Sequence, residues 1–182
     1  GIQAMNELTL YIEKYRAWGL CLIPIAPRAK NPLVKWQQYQ HRKPTETELS
    51  TWFSSNSSNI AIVCGAISGN LVITDIEREN QDLYIAISEY CQERFGKKID
   101  ELTPVVKTGG GGYHIYWRVK DLPQLYHPAG EERKHIPDIQ SEGGYVLAPP
   151  SIHPSGNPYR LLNPGITGIY TIQSLSDLAI DI

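Results

Sequence analysis

Leu8, Tyr11, Ile12, Tyr15 and Trp18 recur at three- and four-residue steps. This lays one apolar stripe along a helix over about 6–18, which Gly19 can end in a left-handed cap. The short apolar run 20–25 predicts a buried strand closed by Pro24 and Pro27. Thr45 with Glu48 three positions on is a capping-box signature for a short helix through Trp52 and Phe53. Two β-branched runs, 60–64 and 71–76, are separated by Gly65, Ser68, Gly69 and Asn70 and predict a hairpin with a long turn. A helix follows over about 80–95, stopped by Gly96. Strands are predicted near 104–108 and 113–119, joined by four glycines, Gly109 to Gly112. After a polar stretch, 121–135, the runs 136–140 and 145–148 predict another strand pair meeting at Gly143 and Gly144. Pro149 and Pro150 end that pair. The tail predicts a strand near 159–162 and a final helix opened by Ser174 or Ser176. Strands outnumber helices, so the class is α+β around a largely antiparallel sheet.

At 182 residues, 41% hydrophobic and 20% charged, the chain fits one compact domain, 1–182, with a substantial core. Gly1 to Ala4 precede the only methionine, Met5, and fit remnants of an expression vector. No apolar run approaches the ~20 residues of a membrane span and no secretory pattern opens the chain, so a cytoplasmic location without membrane contact is expected. Cys21, Cys64 and Cys91 are widely spaced and read as core thiols. A net charge of −2 argues against a protein that coats nucleic acid non-specifically. The charges are nevertheless segregated. Residues 26–43 hold Arg28, Lys30, Lys35, Arg42 and Lys43 with no acid, whereas 71–104 carry eight acids against four bases. Such segregation suits a metal site beside an anion site, although a solvated basic loop has the same composition.

Asp75 and Glu77 stand two apart at a strand end, so both carboxylates project to one side. Two close carboxylates repel unless a cation sits between them, and hard oxygen ligands favour Mg²⁺ or Mn²⁺. Two solvated acids at an exposed strand end are the alternative. Asp138 is set among Ile136, Pro137 and Ile139, where an ionised carboxylate is costly without a partner and a shared metal would offset the cost. Glu142, at the following turn, reads as solvated. The four-glycine run can bring successive N–H groups to phosphate oxygens, though glycine-rich hairpin turns are common. It matches neither the Walker loop nor the dinucleotide fingerprint. His114, just past it, can donate to a phosphate or serve the fold. Ser151 and His153 follow Pro-Pro, which places a hydroxyl and an imidazole on an exposed turn. Ser151 lies in no Gly-x-Ser-x-Gly elbow, which excludes the common serine hydrolase pattern. The five histidines lack paired Cys/His spacings, so no zinc is expected.

Taken in order, Ile73-Thr74-Asp75-Ile76-Glu77, then Lys107-Thr108-Gly109-Gly110-Gly111-Gly112-Tyr113-His114-Ile115-Tyr116, then Pro137-Asp138-Ile139-Gln140-Ser141-Glu142-Gly143-Gly144-Tyr145-Val146-Leu147-Ala148-Pro149-Pro150-Ser151 resemble the bifunctional primase-polymerase family of the archaeo-eukaryotic primase superfamily. Leu22 to Ile25 with Lys30, Pro32 and Trp36 upstream, and Ser155, Gly156 and Tyr159 downstream, extend the resemblance over roughly 18–160. The motifs are individually weak, and their order and spacing make the set specific.

The resemblance implies an archaeo-eukaryotic primase-like core, with a largely antiparallel, RRM-like sheet flanked by helices and an N-terminal α/β unit. It implies a template-dependent nucleotidyltransferase that joins NTPs or dNTPs to a 3′-hydroxyl with two Mg²⁺ or Mn²⁺ ions. Asp75, Glu77 and Asp138 are the implied metal and catalytic residues. His114, with Lys107, Thr108, Gly111 and Gly112, is implied for the nucleotide. Lys30 and Lys35 are candidates for the triphosphate or template backbone, Ser151 and His153 for the incoming nucleotide, and Arg28, Arg42 and Lys43 for nucleic acid. Implied partners are a DNA template and primer and a helicase or other replication or defence proteins. Two departures matter. The first motif reads Asp-Ile-Glu where Asp-x-Asp is commoner, which keeps charge and oxygen ligands. The 121–135 connection has no cysteine for the zinc-binding stem of some relatives. The chain also lacks the extra helical domain that assists initiation in some members, so extension is expected to be easier than starting a strand. A metal-dependent nuclease, a nickase using one of eleven tyrosines, and a non-catalytic nucleotide- or nucleic-acid-binding module are the rival classes.

Overall fold

The computed structural model describes residues 6–55, 57–123 and 136–180. Gly1 to Ala4, His127, His135 and most of the 121–135 connection lie outside them. Helix α1 (Glu7–Ala17) starts where the Asn6 side chain accepts from the Thr9 amide at 2.8 Å, and Gly19 follows it at φ 76°. Strand β1 (Cys21–Ile25) leads through the basic loop to α2 (Glu46–Phe53), which carries the anticipated capping box between Thr45 and Glu48. Then come β2 (Asn59–Val63), β3 (Leu71–Ile76), α3 (Gln81–Phe95), the single turn α4 (Ile99–Leu102), β4 (Val105–Lys107) and β5 (Tyr113–Val119). The chain continues with β6 (Asp138–Gln140), β7 (Tyr145–Ala148), β8 (Arg160–Leu161) and β9 (Tyr170–Ile172). The final helix is one 3-10 turn, Leu175–Leu178, whose capping box joins Ser174 and Asp177.

Among the described residues two sheets form, in the orders β1-β2-β7 and β6-β3-β5-β4-β8. All these pairs are antiparallel, and β9 adds a parallel partner to the second half of β5. The class is therefore α+β, as the strand and helix pattern indicated. Neither of the two anticipated hairpins exists. β2 pairs with β1 and β7, while β3 pairs with β5 and β6, and only a single bridge, Gly65 to Leu71, links the two runs. Likewise β6 pairs with β3 and β7 with β2. Each supposed hairpin turn is a crossing from one sheet to the other.

The crossings lie against each other. The Cys64 amide donates to the Gly144 carbonyl at 3.0 Å, and the Ala66 amide donates to Glu142 Oε1 at 3.0 Å. Glu142, read as a solvated turn residue, thus ties the two crossings together. Gly65, at φ 91°, has no room for a side chain, because a Cβ there would fall 2.9 Å from Glu142 Cα.

Period-two alternation sorts the larger sheet into two faces. Leu71, Ile73, Val106 and Tyr116 join a core shared with α1, α2 and the small sheet. Val72, Ile76, Ile115 and Trp117 join a second core under α3 and the 3-10 turn. Burial on both faces gives β3 and β5 their nearly continuous apolar sequences.

Candidate active site

The site lies where the first of these faces turns polar. In register, Asp138 of β6 stands opposite Asp75 of β3, and Asp75 opposite His114 of β5. Directly opposed antiparallel residues project to the same face with Cβ atoms about 4.5–5.5 Å apart. One cross-strand row thus carries two carboxylates and an imidazole. His114 Nε2 lies 3.5 Å from Asp75 Oδ1, with 9% of the His114 side chain and 27% of the Asp75 side chain exposed. Burial pushes the Asp75 carboxyl up, but His114 and then Lys30 outweigh it and hold the group below its ordinary value. His114 Nδ1 is buried without a hydrogen-bond partner among the described residues.

A cleft of about 440 Å³ opens beside this row. Asp75, Glu77, His114, Lys30, Thr108, Gly110, Gly112 and His153 all line it. Glu77 is exposed at the rim. Lys30 is brought in by the basic loop, which is fastened where the Tyr145 hydroxyl donates to the Lys30 carbonyl at 2.9 Å and Trp36 packs edge-on against Tyr145. His153 Nδ1 accepts from the Ser155 amide at 3.0 Å, which leaves Nε2 to carry the ring proton. Burial and then Lys30 lower the His153 pKa, favouring this neutral donor form.

The glycine loop is wedged against the end of β3. A Cβ on Gly112 would lie 2.2 Å from the Ile76 carbonyl oxygen and 3.1 Å from Glu77 Cα, and neither backbone atom can yield cheaply. Thr108 closes the loop, accepting from the Gly112 amide on its hydroxyl at 2.9 Å. Gly112→Ala is expected to cost about 1–3 kcal/mol of stability through overpacking. Gly110→Ala, at an exposed position whose nearest atom is 3.7 Å away, should be tolerated. Thermal unfolding of the two variants checks this, and equal melting temperatures would contradict the wedge.

Other sequence candidates are placed differently. Ser151 is buried, and its hydroxyl donates to the Ile60 carbonyl and accepts from the Ile60 amide, both at 2.9 Å, so it fastens β2 and does not face the cleft. Arg42 is bound internally, donating to Glu48 at 2.7 and 3.1 Å and to Gln38 at 2.9 Å, over the Tyr39 ring. Lys43 lines a separate cavity with Arg16 and Leu49. Lys35 is exposed and away from the cleft lining, and Arg28 sits beside Gly156. Lys107 lies on the opposite face of the sheet, since it neighbours Val106, the residue paired with His114. Asp138 itself does not line the cleft, whereas Gln140, two residues on and on the same face, does. Among the described residues no three His, Cys, Asp or Glu side chains form a ready-made metal cage. The sequence reading missed Arg78, Gln140 and Tyr145 as lining residues. For Gln140 the signal was its two-residue spacing from Asp138.

The sequence profile of the bifunctional DNA primase/polymerase N-terminal domain family matches residues 12–177, and the chain belongs to that family. Family membership places it, at that level, among metal-dependent primase/polymerase-type nucleotidyltransferases, whose substrates are DNA and nucleotides. Among curated proteins none matches the chain in sequence.

Proposed function

We propose that this chain extends a nucleic-acid primer on a template, joining nucleoside triphosphates to the 3′-hydroxyl and releasing pyrophosphate. The observation that carries the reading is the row Asp138, Asp75, His114 beside a cleft roofed by a glycine loop. The donor chemistry suits Mg²⁺ or Mn²⁺: Asp75, held below its ordinary value, and Glu77 at the rim bring hard oxygens to the cleft, and Asp138 stands directly across the strands from Asp75, outside the cleft lining. Divalent ions at these carboxylates supply, when bound, activation of the attacking hydroxyl and neutralisation of the leaving group.

The chain's own groups do the rest. Lys30 and the Nε2–H of His153 face the cleft as a cation and a neutral donor for phosphate oxygens. His114 is set to donate from the floor while orienting Asp75. Thr108 and the packed glycines let the triphosphate approach the main chain. Charge development at a phosphoryl centre responds mainly to such positioning and electrostatics.

The test is incubation of the protein with a labelled primed template, dNTPs and Mn²⁺. Lengthening of the primer that stops on chelation is the expected result. Shortening would establish a nuclease instead, and nucleotide binding without turnover would establish a non-catalytic module.

A further inference from the structure

Behind the glycine loop lies a second concavity of about 400 Å³, lined by Arg78, Lys107 and Arg160 with the loop backbone and Asn157, and by no acid among the described residues. In a chain of net charge −2 such a cluster is not a sampling of the average surface. None of the three cations is in an ion pair among the described residues, and Lys107 only lies over the Tyr113 ring at 4.2 Å. The Gly109 and Gly110 amides likewise have no acceptor among the described residues. Free cations and free amides around one hollow are what an anion requires.

Register decides which anion. Lys107 pairs with both Tyr113 and Arg160, and Tyr113 pairs with Ile76. That row is offset by one residue from the row of Asp75 and His114, so its side chains project to the other face of the sheet. Arg160 is also three strands along from Asp75, roughly 14 Å at about 4.8 Å per strand. A nucleotide anchored by its triphosphate beside Asp75 is therefore on the wrong face for these cations. A polyanion with regularly repeated charges can pass around the loop and meet both. Arg78, Thr108 and Gly110 line both hollows and make the passage continuous.

Resting on the proposed polymerase reading, we infer that this groove holds backbone phosphates of the single-stranded nucleic acid on which the enzyme works. Lys107 and Arg160 are its anchors, and Arg78 marks the crossing into the cleft. The contacts are to phosphate, so they position the strand without reading its sequence.

The test measures binding of a fluorescent oligothymidylate, about 20 nucleotides long, by anisotropy across a salt series in chelator. Wild type is compared with the Lys107→Glu/Arg160→Glu and Lys107→Gln/Arg160→Gln pairs, and binding of dATP with Mn²⁺ is followed in parallel. Circular dichroism identifies any variant that misfolds, and the glutamine pair stands in if the glutamate pair does. The expected result is DNA binding weakened at least about tenfold, a salt slope shallower by about 1.4 for two lost contacts, and unchanged dATP binding. Wild-type DNA binding by a folded double variant overturns the inference, as does loss of dATP binding with DNA binding retained. If wild type extends primers while the variants bind DNA normally, only the groove assignment falls. If wild type neither extends primers nor binds DNA, the polymerase reading falls and takes the groove with it.

Discussion

Asp75→Ala is expected to abolish nucleotide incorporation, by about 10³-fold or more, while the protein still folds. A carboxylate that holds a catalytic cation contributes several kcal/mol to the transition state, and each 1.36 kcal/mol is tenfold in rate. Asp75 is the central member of the polar row, flanked by Asp138 on one strand and His114 on the other. Among the described residues no other has both as cross-strand neighbours. The fold is not expected to follow the activity down, because β3 is held by main-chain ladders on both sides and by Leu71, Val72, Ile73 and Ile76 in the two cores. Asp75→Asn should fail as completely, which assigns the loss to charge and not to shape. Single-nucleotide primer extension with Mn²⁺, read beside a thermal melt, measures both quantities. Extension within tenfold of wild type by a folded variant removes Asp75 from the mechanism.

Local structure was legible in the sequence, and strand pairing only at the glycine-joined β4 and β5. Thr45, Gly19 and Gly96 mark helix ends through short-range hydrogen bonds or a positive φ, and such signals need no knowledge of the rest of the chain. The runs 60–64 and 71–76 were correctly strands, but adjacency in sequence suggested pairing that burial forbids. All five residues of β2 are buried, so the strand needs a neighbour on each side, and β1 and β7 supply them. Gly65 and the 3-10 turn Ala66–Ser68 then carry the chain into the other sheet. β9 escaped notice because three residues give too little periodicity, and its place beside β5 is fixed only by the tertiary fold.

The site divides along the same line. Alternation within one strand put Asp75 and Glu77 on one side, and the structure lines one cleft with both. That Asp75 meets His114 and Asp138 required the registers of three strands from distant parts of the chain. Lys107 shows what one offset residue does, since a step along β4 from Val106 moves its amine to the opposite face. Ser151 shows the limit of reading a Pro-Pro-Ser turn as exposed. Its hydroxyl satisfies both main-chain groups of Ile60, which stands opposite Ala148 at the very end of β7, and burying those groups unsatisfied would cost more than exposing the serine gains.

His114→Leu is expected to lower kcat/KM for nucleotide incorporation by about 10²–10³, the usual cost of removing one positioned donor to a developing anion. The same substitution should leave the melting temperature little changed, because loss of the contact to Asp75 is offset by removal of a buried unpaired nitrogen, and this separation of activity from stability is what makes the variant informative. His114 is 7% exposed, and its Nδ1 is buried with no partner among the described residues, a condition that costs about 1–3 kcal/mol. Leucine fills similar space beside Val106 and Tyr159 and removes the orphaned nitrogen. A residue kept for the fold would be missed by the fold, whereas a residue kept for a ligand carries its cost until the ligand arrives. Steady-state extension kinetics and a thermal melt on one preparation separate the two cases. A melting temperature several degrees lower with unchanged kcat/KM would make His114 a structural side chain, and the Asp75 row would then need its phosphate donor from His153 and Lys30 alone.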